Sequence, residues 1–556
     1  VLESRAYLVV FASGKDGPLD VSFRLAGGGE YLALVSPDGD IVQEFAPGYP
    51  PQFDDIAFGI PSGGGPAVLL RPTPGAANGS GLSAISPAIL GVSHLPLSPG
   101  QDEALVVTVQ IEPRLGAIDT VSLSYRVGFG REISLPMSRA GGASFSATIP
   151  SSSYSAGEMV RWFVTAGTAN GETTRSPAFP DPIESAQYHG TVVDDPSITS
   201  SLPVLHWFVQ NPSASDTRAG TQASLYFAGQ FYDNVFCRIR GQSTANWPKH
   251  KFKFDFYRGG HFLWKEGASR VEEFNVNSHY RDGYVRENAI FAFLNEAGSP
   301  APETMYIWIR RNSTDFGLFS FVEQIDEEFL GRHGFDASGP MYKAINVPAT
   351  LSPTVNTSLY RKVLNRDDPY TDLRDFTSNI NIANPNRFAY VADEVNLPNY
   401  INVMAAMAVP FNHDQLTKNY YLYRDPHRRE WFRFPWDGDQ GLPSGIKNTH
   451  ENWASPLYGD ARHTQELVNG NPNPTWQNHM HAAILDNPIT REMYMRRLRN
   501  LADQYLRVDR NGIGWFENLI NSWENEISLD AARDFQLWSR QGIGTLSGTV
   551  SNVLNT

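Results

Sequence analysis

NHDQLTKNYYLYRDPHRREWFRFPWDGDQGL, residues 412–442, is the stretch on which the reading of this chain turns. Asp414 stands five positions before Asn419, and Asp437 and Asp439 follow after two aromatic strands joined by a polar turn. That order has a chemical use. An Asp on a loop can orient or deprotonate a hydroxyl. An Asn amide oxygen and one or two carboxylates can hold Mg2+, a hard, oxygen-seeking cation, and such an ion neutralises charge on transferring phosphoryl oxygens. Taken singly, each acid reads as a turn former or cap in a strand-rich segment. Taken as an ordered set, the four residues read as a catalytic and metal-binding constellation.

Protein kinases use the same D-x-x-x-x-N spacing, followed by a metal-binding Asp after a hairpin. His413 directly precedes Asp414 here, so the histidine and arginine of the kinase loop are unmatched. A literal DFG at Asp315–Gly317 precedes the candidate loop instead of following it, and between IWIRRNST and LFSFVEQ it reads as a hairpin turn. Upstream lies RIRGQSTANWPKHKFKFDF, residues 238–256. Its turn, with Arg240, Gly241 and Ser243, can offer backbone N–H groups to phosphates. Lys249, Lys251 and Lys253 lie on or beside the strand that follows. Strand alternation puts Phe252, Phe254 and Phe256 on one face and Lys251 and Lys253 on the other. A solvated lysine face over a phenylalanine core is the commoner meaning of that pattern. Neither GxGxxG nor a Walker A motif occurs.

The chain has 556 residues and a net charge of −14, which argues against nucleic acid as the main partner. No run of about 18 apolar residues appears, so no transmembrane segment is expected. The single cysteine, Cys237 in NVFCRIR, excludes an internal disulfide and reads as a buried core thiol. Residues 1–200 hold 10 Lys+Arg against 20 Asp+Glu and only one of the 12 Trp, Trp162. The remainder is aromatic-rich and nearly charge-balanced. A boundary is expected in VVDDPSITSSLP, read as linker. The fold class expected is multidomain: N-terminal all-β, Ig-like sandwiches, then an α+β domain. YLALV and IVQEF around SPDGD predict a hairpin. ALVVTVQIE, TVSLSYRV, ASFSATIP and MVRWFVTA predict a sandwich of about 100 residues. In VRENAIFAFLNEAG, Ala289, Ile290, Phe293, Leu294 and Ala297 form a helical stripe that Gly298 ends.

The second half resembles the CotH family of atypical protein kinases. RGQSTANWPKHKFKF, VRENAIFAFLNEAGSPAPE, FGLFSFVEQID and NHDQLTKNYYLYRD…FPWDGDQGL carry the resemblance, in family order, over about residues 200–505. The resemblance implies a two-lobed, kinase-like fold that binds ATP with Mg2+ or Mn2+ and phosphorylates Ser/Thr of secreted or surface proteins. By position it makes Asp414 the catalytic Asp, Asn419 a metal-supporting Asn and Asp437 the metal-binding Asp, with Asp439 in the same turn. Lys249 of WPK matches a lysine of the small-lobe motif, while His250 replaces a common second lysine. Glu287 can pair that lysine from its helix. Glu323 lies where a hinge meets adenine, or caps the next helix.

GGGEYLALVSPDGDIVQEF with YPPQFDDIAFG and RPTPGAAN is similar to the end of a lamin-tail-like domain, and residues 85–190 resemble a fibronectin-III or Ig-like sandwich. The implied division is a partial lamin-tail-like domain over 1–78, a sandwich over 79–198 and a CotH kinase-like domain over 199–556. The opening reads as a strand interior, so the start of the first module is expected to be missing. Such modules imply a bacterial secreted or cell-surface location and leave a second reading open: a surface adhesion or matrix scaffold with an inactive kinase-like domain. His479 and His481 lack an i, i+4 pair and are weak metal ligands. Asn78, Asn312 and Asn356 head glycosylation sequons, which are common by chance.

Overall fold

The computed structural model describes residues 6–15, 17–178, 185–280, 283–366, 369–412, 418–439, 441–442, 467–468, 471–472 and 478–554. The N-terminal stretch holds two small antiparallel pairs. Leu32–Val35 pairs with Ile41–Phe45 around the expected SPDGD turn, and Ala57–Gly59 pairs with Val68–Leu70. Gly39 sits there at φ +93°, a left-handed conformation that favours glycine.

Residues 88–192 form two antiparallel sheets face to face. One contains Ala88–Leu95, Leu105–Glu112, Ser138–Gly141 and Ser144–Ile149; the other contains Ile118–Val127, Ile133–Pro136, Met159–Thr168, Thr173–Ser176 and His189–Val192. Strict alternation is the cause. Leu105, Val107, Val109 and Ile111 point inward against Leu123, Val160, Trp162 and Val164, and all eight are essentially fully buried.

The next unit is a closed barrel of seven strands: β1 (Val204–Val209), β2 (Thr221–Phe227), β3 (Gln230–Arg240), β4 (Lys251–Asp255), β5 (Glu273–Asn277), β6 (Thr304–Arg311) and β7 (Thr314–Glu323). The strand order is β1-β2-β3-β4-β5-β7-β6, closed by the parallel pair β6–β1. Phe252 and Phe254 fill its interior with Trp207, Phe274 and Phe321. Cys237 is buried among them, and burial pushes its thiol up to about 12, as suits a core residue.

Helix α1 (Arg286–Glu296) crosses from the barrel to a second core, its predicted stripe buried and Gly298 at φ +70° behind it. After α2 (Glu327–Arg332) comes a four-stranded sheet. Its strands are β8 (Met341–Ala344), β9 (Tyr360–Leu364), β10 (Tyr420–Arg424) and β11 (Trp431–Pro435), in the order β9-β8-β10-β11. Helices α3 (Thr371–Asn379), α4 (Arg387–Glu394), α5 (Leu397–Ala408), α6 (His479–Asp486) and α7 (Pro488–Tyr505) share its core, α5 packing on β11 and α7 on α5 and α6. The long α8 (Trp515–Trp538) returns to the barrel, packing on β7.

The stretch read as linker is tied down. Asp195 accepts hydrogen bonds from Ser197 and pairs with Arg310 of β6, and Met159, Val192 and Phe208 form a small apolar contact between sandwich and barrel. No helix among the described residues is long and apolar enough to cross a membrane.

Candidate functional site

The barrel supplies one wall of a cleft. With Phe252 and Phe254 turned inward, alternation turns Lys251 and Lys253 outward. Strand register then sets Arg240 opposite Lys251 and Arg238 opposite Lys253. Like charges directly opposite are unfavourable, so carboxylates and amides gather between them. Lys253 pairs with Asp255 at 2.7 Å and with Glu273. Lys251 meets Asp439 at 3.4 Å, and Arg240 donates to Asn277 at 2.6 Å. Gly241, at φ +90°, follows β3; a Cβ there would lie 1.8 Å from Thr244 Oγ1. Gln242 donates across the cleft to Asn346 at 2.5 Å and to the Ile345 carbonyl at 3.2 Å, tying this turn to the sheet.

The opposite wall comes from the β10–β11 hairpin. Its register pairs Tyr420 with Pro435, so Asn419 and Trp436 flank the open end, joined by a 3.1 Å bond from the Trp436 N–H to the Asn419 carbonyl. Asn419 (φ +61°) and Asp437 (φ +64°) are both left-handed, so each strand stops where its polar side chain reaches the cleft. Gly438 and Gly441 let this turn settle on α1: a Cβ would lie 2.9 Å from Ile290 Cγ2 at the first and 2.7 Å from Ile290 Cδ1 at the second. Burial, then the charge of Asp439, pushes the Asp437 carboxyl up to about 8 despite Lys251. Carboxylates packed this way favour a shared cation. The Asn419, Asp437 and Asp439 side chains offer only oxygen as ligand atoms, a fit to Mg2+ or Mn2+.

The cleft encloses about 870 Å³ and is lined by ten Lys and Arg side chains against four Asp and Glu. Within an acidic chain, that is a local excess of positive charge. Several of these cations escape a motif-based reading: Lys343 on β8, Arg361 and Lys362 on β9, and Arg366. Lys343 lies 4.2 Å from the Trp436 ring centre. Burial, then Arg240 and Arg361, holds its ammonium well below the usual range. Its one sequence signal is a lysine interrupting the apolar strand MYKA.

Of the residues expected in the site, Arg240, Gly241, Lys251, Lys253, Asn419, Asp437 and Asp439 converge on this cleft. Asp414 and the Ser243 side chain lie outside the described residues. Lys249 does not line it. Fully buried, it donates to Asp534 of α8 at 2.6 Å and to the Leu318 carbonyl at 2.7 Å. The sequence could not show this, because Asp534 is so distant along the chain. Among the described residues Glu287 pairs with no lysine; it accepts two hydrogen bonds from Asn277 Nδ2, at 2.9 and 2.7 Å, and does not line the cleft. Glu323 is also outside the cleft lining, held by Arg332 (Nε–Oε1 2.9 Å), while Asp326 caps α2 through the Phe329 N–H. In the DFG triplet, Asp315 accepts from Trp308 and Arg533, and Gly317 lets Asp534 approach, as structural residues of the β6–β7 hairpin. His481 is buried against Arg433 at 3.2 Å.

The family model described as CotH kinase protein matches residues 237–555. Inner spore coat protein H of Bacillus subtilis strain 168 is 23% identical over 282 residues, which cover 49% of this chain and 71% of that protein. A crystal structure of the Helicobacter pylori proinflammatory kinase CtkA aligns with 54% of this chain and 97% of its own at 11% identity, with a TM-score of 0.22.

Proposed function

We propose that this chain, which belongs to the CotH kinase family, binds ATP with Mg2+ or Mn2+ in the cleft between barrel and sheet and phosphorylates Ser or Thr of a secreted or surface protein. The observation that carries the reading is the meeting of ten cationic side chains with the oxygen donors Asn419, Asp437 and Asp439 in one cleft. A triphosphate with its cation matches both features.

When bound, the divalent ion supplies charge neutralisation on the phosphate oxygens. Asp437, Asp439 and Asn419 are the residues that would hold it. Lys251, Lys253 and Arg240 stand on the barrel wall to orient the phosphates, and Lys343 and Arg361 face them from the sheet. Asp414 orients the acceptor hydroxyl and takes its proton as the oxygen–phosphorus bond forms and the bond from the γ-phosphorus to the β–γ bridging oxygen breaks, releasing ADP. The N-terminal β modules, read as lamin-tail-like and Ig-like, would meet surface or matrix partners of a bacterial cell.

The test is a nucleotide titration with and without Mg2+, paired with transfer to a casein-type acceptor. Asp437→Ala should weaken metal-dependent ATP binding and abolish transfer. Asp414→Asn should abolish transfer while ATP still binds, because positioning and base catalysis act after binding. A flat titration of the wild-type chain would favour the scaffold reading, and equal transfer by Asp414→Asn would end the kinase assignment.

A further inference from the structure

Outside the lining of the cationic cleft, an imidazole and three carboxylates meet. The loop between β4 and β5 folds back as a bridge, Phe262 to Val271, with hydrogen bonds of 2.8 and 3.0 Å. That bridge sets His261 opposite Glu272, His261 Nε2 lying 3.8 Å from Glu272 Oε1. Glu328, on the first helix after β7, closes the group: one ligand atom from each of His261, Glu272 and Glu328 lies within 4.8 Å of the other two. Asp326 adjoins Glu328. It is only 4% exposed, and while its Oδ1 caps α2, its Oδ2 is fully buried with no hydrogen-bond partner among the described residues.

The charge balance of this cluster is unfavourable as it stands. None of the described Lys or Arg side chains comes within 4.0 Å of the carboxylates of Glu272, Glu328 or Asp326. A buried carboxylate oxygen without a partner is unfavourable unless a cation or a hydrogen-bond donor meets it. Three ligand atoms from two different elements thus converge, with the buried Oδ2 of Asp326 two residues from Glu328.

We propose that His261, Glu272 and Glu328 bind a first-row transition-metal dication of the Zn2+ class, with Asp326 beside them as a third carboxylate. The imidazole decides the class, since Mg2+ and Ca2+ prefer all-oxygen sets while Zn2+ takes nitrogen and carboxylate oxygen together. Ligand bonds of about 2.0–2.2 Å require these atoms to draw in by roughly 1 Å, and the partly exposed His261 and Glu272 side chains are free to turn that far. The site is separate from Asn419, Asp437 and Asp439. His261 and Glu272 belong to the barrel and Glu328 to the first helix beyond it, so the ion would fasten one lobe to the other outside the nucleotide cleft.

Zinc alone is the probe. The full chain is stripped with chelator, returned to excess Mg2+ and titrated with ZnCl2 by calorimetry, beside the His261→Ala/Glu328→Gln double variant and Asp437→Ala. Wild type and Asp437→Ala should each take up one more equivalent than the double variant. The melting temperature should rise with zinc by more in wild type than in the double variant, and Co2+ in its place should give visible d–d bands that the double variant lacks. Equal zinc uptake by wild type and double variant overturns the site. If the double variant fails to fold, Glu272→Gln, at a surface position, decides by the same comparison of uptake. Loss of ATP binding in wild type would leave this result untouched, because neither site depends on the other.

Discussion

Lys249 and Lys251 stand two residues apart on one strand approach, yet they should fail in opposite ways when changed to Met. Lys249 Nζ is fully buried between Asp534 Oδ1 (2.6 Å) and the Leu318 carbonyl (2.7 Å), 4.5 Å from the Phe319 ring centre. Removing it leaves Asp534 with the Leu318 N–H (2.9 Å) and the Tyr284 hydroxyl (3.0 Å) but no countercharge. Breaking one side of a buried pair costs about 3–5 kcal/mol. At roughly 2 °C per kcal/mol for a domain of this size, the Lys249→Met melting temperature should fall by about 6–10 °C. Nucleotide affinity of the folded fraction should stay unchanged. The paired change Lys249→Met/Asp534→Leu should recover more than half of the loss, because no buried charge then remains. Lys251→Met should do the reverse: Lys251 lines the cleft beside Asp439, so ATP affinity should drop about tenfold or more, for one charge-assisted contact worth about 1.5–3 kcal/mol. Its melting temperature should fall less than that of Lys249→Met, because the Lys251–Asp439 pair is longer, 3.4 Å, and borders the cleft. Scanning calorimetry with nucleotide titration on the four proteins decides the matter. A Lys249→Met protein that melts like wild type but no longer binds ATP would refute the placement of both lysines.

Asp315→Ala, which removes the acceptor for Trp308 (3.0 Å) and Arg533 (3.1 Å), should cost about 1–2 kcal/mol of stability and leave ATP binding unchanged; a loss of binding at native stability would restore a catalytic role to that DFG. Gly438→Ala places a Cβ 2.9 Å from Ile290 Cγ2, so the turn carrying Asp437 must shift; stability should fall by about 1–3 kcal/mol and Mg2+-dependent ATP affinity with it, measured by melting and titration. Burial, then Arg310, holds His206 down at about 4, and burial, then His94 and Arg175, does the same for His189. The unfolded chain protonates both near 6.5 and the folded chain only near 4, so stability should fall as pH drops through that window, by up to about 1.4 kcal/mol per pH unit for each. Above pH 7 this contribution should be flat, and His206→Phe should lessen the acid-side slope in melting curves taken from pH 8 to 4.

Local pattern was enough for much of this molecule. The SPDGD hairpin, the alternating strands of residues 105–166, the α1 stripe and the opposed faces of β4 follow from periods of two and 3.6 residues, which constrain neighbours along the chain. The D-x-x-x-x-N spacing and the WDGD turn likewise pointed to Asn419, Asp437 and Asp439, because the hairpin between them is itself a local structure. Partners across long sequence separations were another matter. Whether Lys249 or Lys251 reaches the cleft depended on Asp534 of a helix that begins at Trp515. Glu287 met Asn277 in place of a lysine because α1 packs against the end of β5. Lys343 and Arg361 entered the cleft only once β8 paired with β9 and β10. Composition and periodicity determine which face of an element is apolar. Which charge stands opposite which is set by closure of the barrel and by the return of the last helices, and burial then makes each such pairing strong enough to hold a side chain away from, or within, the site.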